Sequence, residues 1–172
     1  GEHVLTGTER MKQRPIKILV DALRSLGADI QYVGEEGFPP LRIKGKRLTG
    51  GSIEVAGNVS SQYVSALLMI GPTLEKGLEL KLLGNVISRP YIDLTLNVMH
   101  EYGADAEWTD IDTITIRPKR YEERSYTIEN DWTSASYWYA ILTLLNDRKS
   151  YIRFTGLKNG SRQGDSAIKY IF

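Results

Sequence analysis

A helix-like segment that begins at Arg-Pro and ends at Gly-Ala-Asp occurs twice in this chain. Arg14-Pro15 opens a run with Ile18, Leu19, Ala22, Leu23 and Leu26, closed by Gly27-Ala28-Asp29. Arg89-Pro90 opens a second with Ile92, Leu94, Leu96, Val98, Met99 and Tyr102, closed by Gly103-Ala104-Asp105. Proline suits a first helical turn, where its missing N–H is not needed. Glycine just past the last apolar position takes the left-handed conformation that ends a helix. A second pair recurs in step with the first. Ile53-Glu54-Val55 leads into Gly57-Asn58-Val59-Ser60-Ser61-Gln62-Tyr63 and then Ala66-Leu67-Leu68-Met69. Tyr126-Thr127-Ile128 leads into Asn130-Asp131-Trp132-Thr133-Ser134-Ala135-Ser136 and then Ala140-Ile141-Leu142. In each, an alternating strand feeds a polar turn that caps an apolar helix.

A further alternating strand follows each of these helices, Leu78/Leu80/Leu82 in one copy and Ile152/Phe154 in the other, each ending at a glycine, Gly84 or Gly156. Closing strands are expected at Ala28–Val33 and Pro40–Lys44, and again at Ala104–Trp108 and Thr113–Arg117. One repeat therefore reads βαβαββ over roughly seventy-odd residues. That period is too long for a solenoid and too short for an independent domain. The fold class is α/β: a few βαβαββ units packed around a shared helical core, with parallel and antiparallel strands mixed. Gly34–Pro40 and Arg117–Arg120 read as surface connections.

Composition removes several function classes. The 172 residues carry 22 Lys+Arg against 21 Asp+Glu, a net charge of +1, without the basic cluster of a nucleic-acid binder. No apolar run approaches a membrane span, and no signal-peptide pattern opens the chain. Cysteine is absent, and His3 and His100 are isolated, so neither a thiol nucleophile nor a metal centre is expected. No cofactor is expected. A cytoplasmic monomer is expected. Gly1 is not an initiator Met, and Ile171-Phe172 ends the sequence inside an apolar stretch, so the chain reads as a piece of a longer polypeptide, incomplete at both ends.

The richest local feature is Gly57–Gln62 at a helix start. The first N–H groups of a helix lack internal partners, and the macrodipole adds positive potential there. Ser60, Ser61 and Gln62 beside those groups make a phosphate cradle, which Gly57 lets approach closely. The same residues also read as an ordinary N-cap, the commoner use of serine before an apolar helix. Ser88-Arg89-Pro90-Tyr91 stands at the other helix start, with Ser88 a cap or a phosphate ligand and Tyr91 a core residue or hydroxyl donor. Glu9–Pro15 reads as a cationic loop in which Arg14 grips an anion with its bidentate fork or is simply solvated. Asp131 puts negative charge where an anion would sit, so its turn reads as a cap or a joint. Tyr137-Trp138-Tyr139 reads as packing, and Gln163-Gly164-Asp165 as a further helix start.

Together these segments resemble the 5-enolpyruvylshikimate-3-phosphate synthase family. The matching stretches are LTGTERMKQRPIKILVDALRSLGA, PPLRIKG, GNVSSQYVSALLMIGP, ISRPYIDLTLNVMHEYGA, DWTSASYWYA and SRQGDSAIKYIF, in the family's order across essentially the whole chain. The resemblance implies two three-repeat domains with the site in the cleft between them. Residues 1–129 would be the later two repeats of one domain, and residues 130–172 the start of the other. It implies that Ser60, Ser61, Gln62, Ser88 and Tyr91 contact shikimate 3-phosphate, and that Arg14 and Gln62 contact phosphoenolpyruvate. It also implies that the proton-transferring Lys, Asp and Glu residues lie outside this chain, leaving no catalytic residue within it. No nucleic acid or membrane is implied as a partner.

Some positions depart from the family's commoner form. Lys17 stands where a glycine is usual and places charge near the Arg14 loop. Arg89 replaces the more usual lysine, and Asn130 and Trp132-Thr133 replace smaller residues. The sister enzyme acting on UDP-N-acetylglucosamine is the nearest alternative. It usually carries a reactive cysteine just before the Arg-Pro pair, where this chain has Thr8–Gln13. A non-catalytic phosphate-binding module is the alternative from another class.

Overall fold

The computed structural model describes residues 1–147 and 149–172. It divides into two compact units, Gly1–Glu122 and Glu123–Phe172.

In the first unit, β1 (Glu2–Leu5), α1 (Glu9–Lys12), α2 (Lys17–Ser25), β2 (Asp29–Tyr32) and β3 (Leu41–Lys44) come first. They are followed by β4 (Gly51–Ala56), α3 (Ser61–Ile70), β5 (Leu78–Leu83), α4 (Arg89–Glu101), β6 (Asp105–Trp108) and β7 (Thr113–Arg117). Strands β1, β3 and β2 form one antiparallel sheet with β3 in the middle, and the second sheet runs β4-β5-β7-β6. In that second sheet β4 and β5 are parallel, joined through α3, while β5–β7 and β7–β6 are antiparallel.

Within this unit the repeat expected from the sequence is present, and its register shows what sequence reading missed. Strand β1 pairs antiparallel with β3, Leu5 opposite Leu41, just as β5 pairs with β7, Leu78 opposite Ile116. The series β1-α2-β2-β3 is therefore the counterpart of β5-α4-β6-β7. Strand β1 escapes pattern reading because all four of its residues are exposed. Its place in the repeat was the available signal.

Strand β5 shows how sequence sets packing. Leu78, Leu80 and Leu82 point to one face and are at most 2% exposed, while Glu79, Lys81 and Leu83 face away. Alternation of this kind is the mark of a sheet covered on one side. Helices α3 and α4 cover it with Val64, Leu67, Leu68, Ile92, Leu96 and Met99, joined by Ala22 of α2 and by Leu26 at its C-cap. Helix α2 also turns Val20 toward the first sheet, where it packs on Ile30 and Leu41. One helix thus contributes to two cores, with Leu23 packed against each.

Other local expectations need correction. The segment read as a loop at Glu9–Pro15 contains a helical turn, α1, capped by the Thr8 hydroxyl, and α2 begins at Lys17 rather than at Pro15.

The second unit holds α5 (Trp132–Leu145) and a 3-10 helix at Gly164–Tyr170, the latter beginning where a helix start was expected. The strands expected at Tyr126–Ile128 and Ile152–Phe154 do not form. Hydrogen bonds from Asn130 join the two stretches in place of a ladder, its amide N–H donating to the Gly156 carbonyl and its side chain to that of Thr155. Parallel pairs persist when further strands and a covered face support them. Strand β5 has β7 on its free edge, and the described residues of the second unit supply nothing equivalent. The expected packing of Tyr137-Trp138-Tyr139 holds for Tyr139, stacked 5.5 Å from Phe154, whereas Tyr137 and Trp138 are largely exposed.

Candidate functional site

Because β4 and β5 are parallel neighbours, with Ala56 opposite Leu83, the turns that leave them emerge at the same edge of the sheet. Open α/β sheets commonly bind ligands at the carboxyl ends of parallel strands. One turn is Gly57–Ser60 and leads into α3, and the other runs from Gly84 to Ser88 and leads into α4. The Gly57 amide N–H donates to the Leu83 carbonyl at 2.7 Å. A Cβ at Gly57 would lie 3.1 Å from the Asn85 carbonyl oxygen and 3.2 Å from that of Leu83. Only a glycine allows the two turns to sit this close without one of them giving way.

The third helix start is bound to the same place. The Tyr63 hydroxyl, in the first turn of α3, donates to the Pro15 carbonyl, which holds the Arg14-Pro15 segment against that turn. Between α3 and α4, the Ser65 and Thr95 hydroxyls meet at 2.7 Å, and Thr95 also donates to the Tyr91 carbonyl at 2.9 Å. The three segments singled out in the sequence, Arg14, Ser60–Gln62 and Ser88–Tyr91, are therefore gathered by hydrogen bonds around one group of helix starts.

The individual side chains differ in what they are free to do. Ser60 is the N-cap of α3, and its hydroxyl accepts from the Gln62 amide at 3.3 Å. Ser61 lies one residue inside, and its hydroxyl has no protein partner among the described residues. Ser88 occupies the N-cap position of α4 without spending its hydroxyl on a cap. Its carbonyl instead accepts from the Tyr91 and Ile92 amides, at 3.1 and 3.3 Å. Tyr91 and Arg14 are exposed. Apart from the half-buried Ser61 and Ser88, these residues are exposed, and together they offer hydroxyls, amides and a guanidinium to solvent.

Two neighbouring cations are already committed. Lys17 lies 2.9 Å from Glu36 and 3.2 Å from Asp21. Hydrogen bonds to those two carboxylates, Glu36 foremost, raise its pKa and balance the charge that Lys17 adds beside the Arg14 loop. The Arg89 guanidinium rests on the Trp108 ring and donates to the Ile111 carbonyl.

The corresponding turn in the second unit is chemically different. Asp131 accepts from the Thr133 and Ser134 amides at 3.0 and 3.3 Å, and from the Ser134 hydroxyl at 2.8 Å. The Ser134 hydroxyl, and after it the Thr133 amide, hold its pKa below the usual carboxylate range. A fixed anion closes this helix start, in line with its reading as a cap.

Beside it lies a hub at Glu129 that no local pattern announces. Its carboxylate accepts from the Lys158 amide, the Trp132 indole and the Ser161 hydroxyl. Among the described residues no group of three or more His, Cys, Asp or Glu could hold a metal ion, and no helix is long and apolar enough to cross a membrane.

Comparison with known proteins adds an independent line. The family described as EPSP synthase (3-phosphoshikimate 1-carboxyvinyltransferase) matches residues 1–171. The chain is 56% identical over all 172 residues to a 3-phosphoshikimate 1-carboxyvinyltransferase of Bacteroides fragilis strain YCH46 and covers 42% of that protein. It is 42% identical over 167 residues to one from Histophilus somni strain 2336, spanning 96% of this chain and 38% of the relative. Among solved structures, an EPSP synthase from Acinetobacter baumannii superposes on 80% of this chain with a TM-score of 0.67 at 25% identity, using 30% of its own length. The enolpyruvyl transferase NikO from Streptomyces tendae covers 80% of the chain and 32% of its own length, with a TM-score of 0.57 at 20% identity, a likeness of fold. The chain thus spans roughly two-fifths of the length of the curated relatives described here.

Proposed function

The chain belongs to the EPSP synthase family, and from that membership we propose that it is the phosphate-binding part of a 3-phosphoshikimate 1-carboxyvinyltransferase. In that reaction the 5-hydroxyl of shikimate 3-phosphate adds to the enol carbon of phosphoenolpyruvate while the methylene takes up a proton. Loss of that proton and departure of phosphate then give 5-enolpyruvylshikimate 3-phosphate. The step belongs to the shikimate pathway of aromatic amino acid biosynthesis, carried out in the cytoplasm.

The observation that carries the reading is the convergence of the α2, α3 and α4 starts at the carboxyl edge of the parallel β4–β5 pair. There Ser60, Ser61, Gln62 and Ser88 hold shikimate 3-phosphate, with Tyr91 beside the ring. Arg14 and Gln62 take phosphoenolpyruvate. Helix N-termini and an arginine fork provide the positive potential that two anionic substrates need. General acid–base groups are required as well, and they belong to parts of the enzyme outside these 172 residues. Residues 1–129 are the later two repeats of one domain and 130–172 the opening of the second. The enzyme acts as a monomer without a cofactor. The curated relatives described above carry the shikimate name, and no observation favours the UDP-sugar acceptor.

Calorimetric titration of the chain with shikimate 3-phosphate tests the proposal. Heat that disappears in the Ser60→Ala/Ser61→Ala double variant supports it, and no heat from the parent chain overturns it. Turnover of phosphoenolpyruvate by the chain alone would refute the placement of the proton-transfer groups elsewhere.

A further inference from the structure

The α4 start is held by a side chain that the substrate reading does not use. Trp108 ends β6 and packs its ring against the main core. The Arg89 guanidinium carbon lies 3.9 Å from the centroid of that ring. The Trp108 indole N–H donates to Asp93 Oδ1 at 2.8 Å. Arg89 and Asp93 are four residues apart and share one face of α4, so a single indole meets both. Arg89 closes the clamp by donating from Nη1 to the Ile111 carbonyl at 2.9 Å, in the turn between β6 and β7.

Two physical points give the clamp its meaning. A cation at the first position of a helix opposes the macrodipole and is unfavourable unless something else engages it. The aromatic face and the carbonyl do so here, which commits Arg89 to the hairpin although it is the residue next to Ser88. The carbonyls of Ser88 and Tyr91 take part in the same first turn, accepting from Ile92 and Thr95 respectively. Whatever fixes Arg89 and Asp93 therefore fixes the backbone that carries the Ser88 hydroxyl and the Tyr91 ring.

We propose that Trp108 is a positioning residue for substrate, acting through Arg89 and Asp93 to set where Ser88 and Tyr91 present themselves to shikimate 3-phosphate. The inference rests on the substrate reading given above, and its test separates the two. Amide hydrogen exchange in the 172-residue chain reads the clamp without any ligand, and calorimetry with shikimate 3-phosphate reads its consequence.

Trp108→Leu is expected to speed exchange of the Tyr91 and Ile92 amides about fivefold, leave the Tyr63 amide of α3 unchanged, and weaken shikimate 3-phosphate about fivefold. Trp108→Phe keeps an aromatic face under the guanidinium and should recover part of both effects. Arg89→Met leaves the core untouched and should reproduce the Trp108→Leu pattern, which keeps the test decisive if Trp108→Leu fails to fold. Unchanged exchange at Tyr91 and Ile92 in Arg89→Met overturns the clamp. Faster exchange with undiminished affinity overturns the positioning role and leaves only a structural one. A parent chain that gives no heat with shikimate 3-phosphate overturns the substrate reading and this role together, while the exchange rates still decide whether the clamp exists.

Discussion

Ser60 and Ser61 are adjacent hydroxyls with different duties, and single alanine substitutions should separate them. The Ser60 hydroxyl accepts from the Gln62 amide at 3.3 Å, a long hydrogen bond for a cap. Losing an N-cap costs about 0.5–2 kcal/mol, and the long contact places Ser60→Ala near the lower end, about 0.5–1 kcal/mol. For a unit of this size that is a fall of about 2–4 °C in melting temperature. Ser61 has no such contact among the described residues and sits in the first helical turn, where alanine is at least as good a helix former. Ser61→Ala should therefore leave stability within about 0.5 kcal/mol of the parent. Binding reverses the contrast. A hydrogen bond to a charged group contributes about 1.5–3 kcal/mol, so Ser61→Ala should weaken shikimate 3-phosphate by at least about tenfold. Urea unfolding followed by circular dichroism gives the first quantity and calorimetry the second. If Ser61→Ala loses stability and keeps its affinity, the turn is a cap and nothing more.

Further outcomes follow from the packing and the charges. Leu80 is fully buried on the central strand β5, so Leu80→Ala should cost about 2–5 kcal/mol in urea unfolding, while exposed Lys81→Ala stays within about 0.5 kcal/mol. Gly77 has a φ of +70°, and an added Cβ would sit 2.1 Å from the Ile116 carbonyl oxygen. Gly77→Ala should cost more than about 2 kcal/mol in the same assay, because both the backbone and the β5–β7 pairing must shift. For Glu129, desolvation pushes the carboxyl pKa up, but the Lys158 amide, the Trp132 indole and the Ser161 hydroxyl outweigh it, and the net shift is downward. A depressed carboxylate stabilises the fold above its unfolded pKa, and that stability disappears as pH falls through the folded value. Tryptophan fluorescence of the second unit should accordingly report loosening below about pH 4, and Glu129→Gln should weaken that pH dependence.

What was legible in the sequence followed from local rules. The Leu78/Leu80/Leu82 alternation declares a one-sided strand, and the Arg-Pro and Gly-Ala-Asp marks bracket α4 to within a residue or two. The Ser60 cap is a property of its own helix turn. Contacts made across the fold were hidden. Lys17 finds Glu36 nineteen positions away, and Arg89 finds Trp108 only because β6 folds back beside α4. Strand β1 was missed because its pairing, not its burial pattern, defines it. At Tyr126–Ile128 and Ile152–Phe154 the error ran the other way. The alternation is there, but a strand exists through its neighbours, and the described residues of the second unit provide none.

The repeat also shows how one turn design is given two uses. At Ser60 and at Asp131 a polar side chain caps an apolar helix by accepting from the amides that follow. A neutral hydroxyl satisfies one amide and leaves the positive end of the helix uncompensated, with the Ser61 hydroxyl still unspent. A carboxylate satisfies two amides, takes the neighbouring Ser134 hydroxyl as well, and cancels the local potential with its own charge. The first arrangement is the weaker cap and the better place for a phosphate, while the second is the better cap and repels one. Stability and anion binding therefore compete at a helix start, and the residue at the cap decides between them. This is why the Ser60 turn, with its long 3.3 Å hydrogen bond, is the one from which binding should be lost before stability.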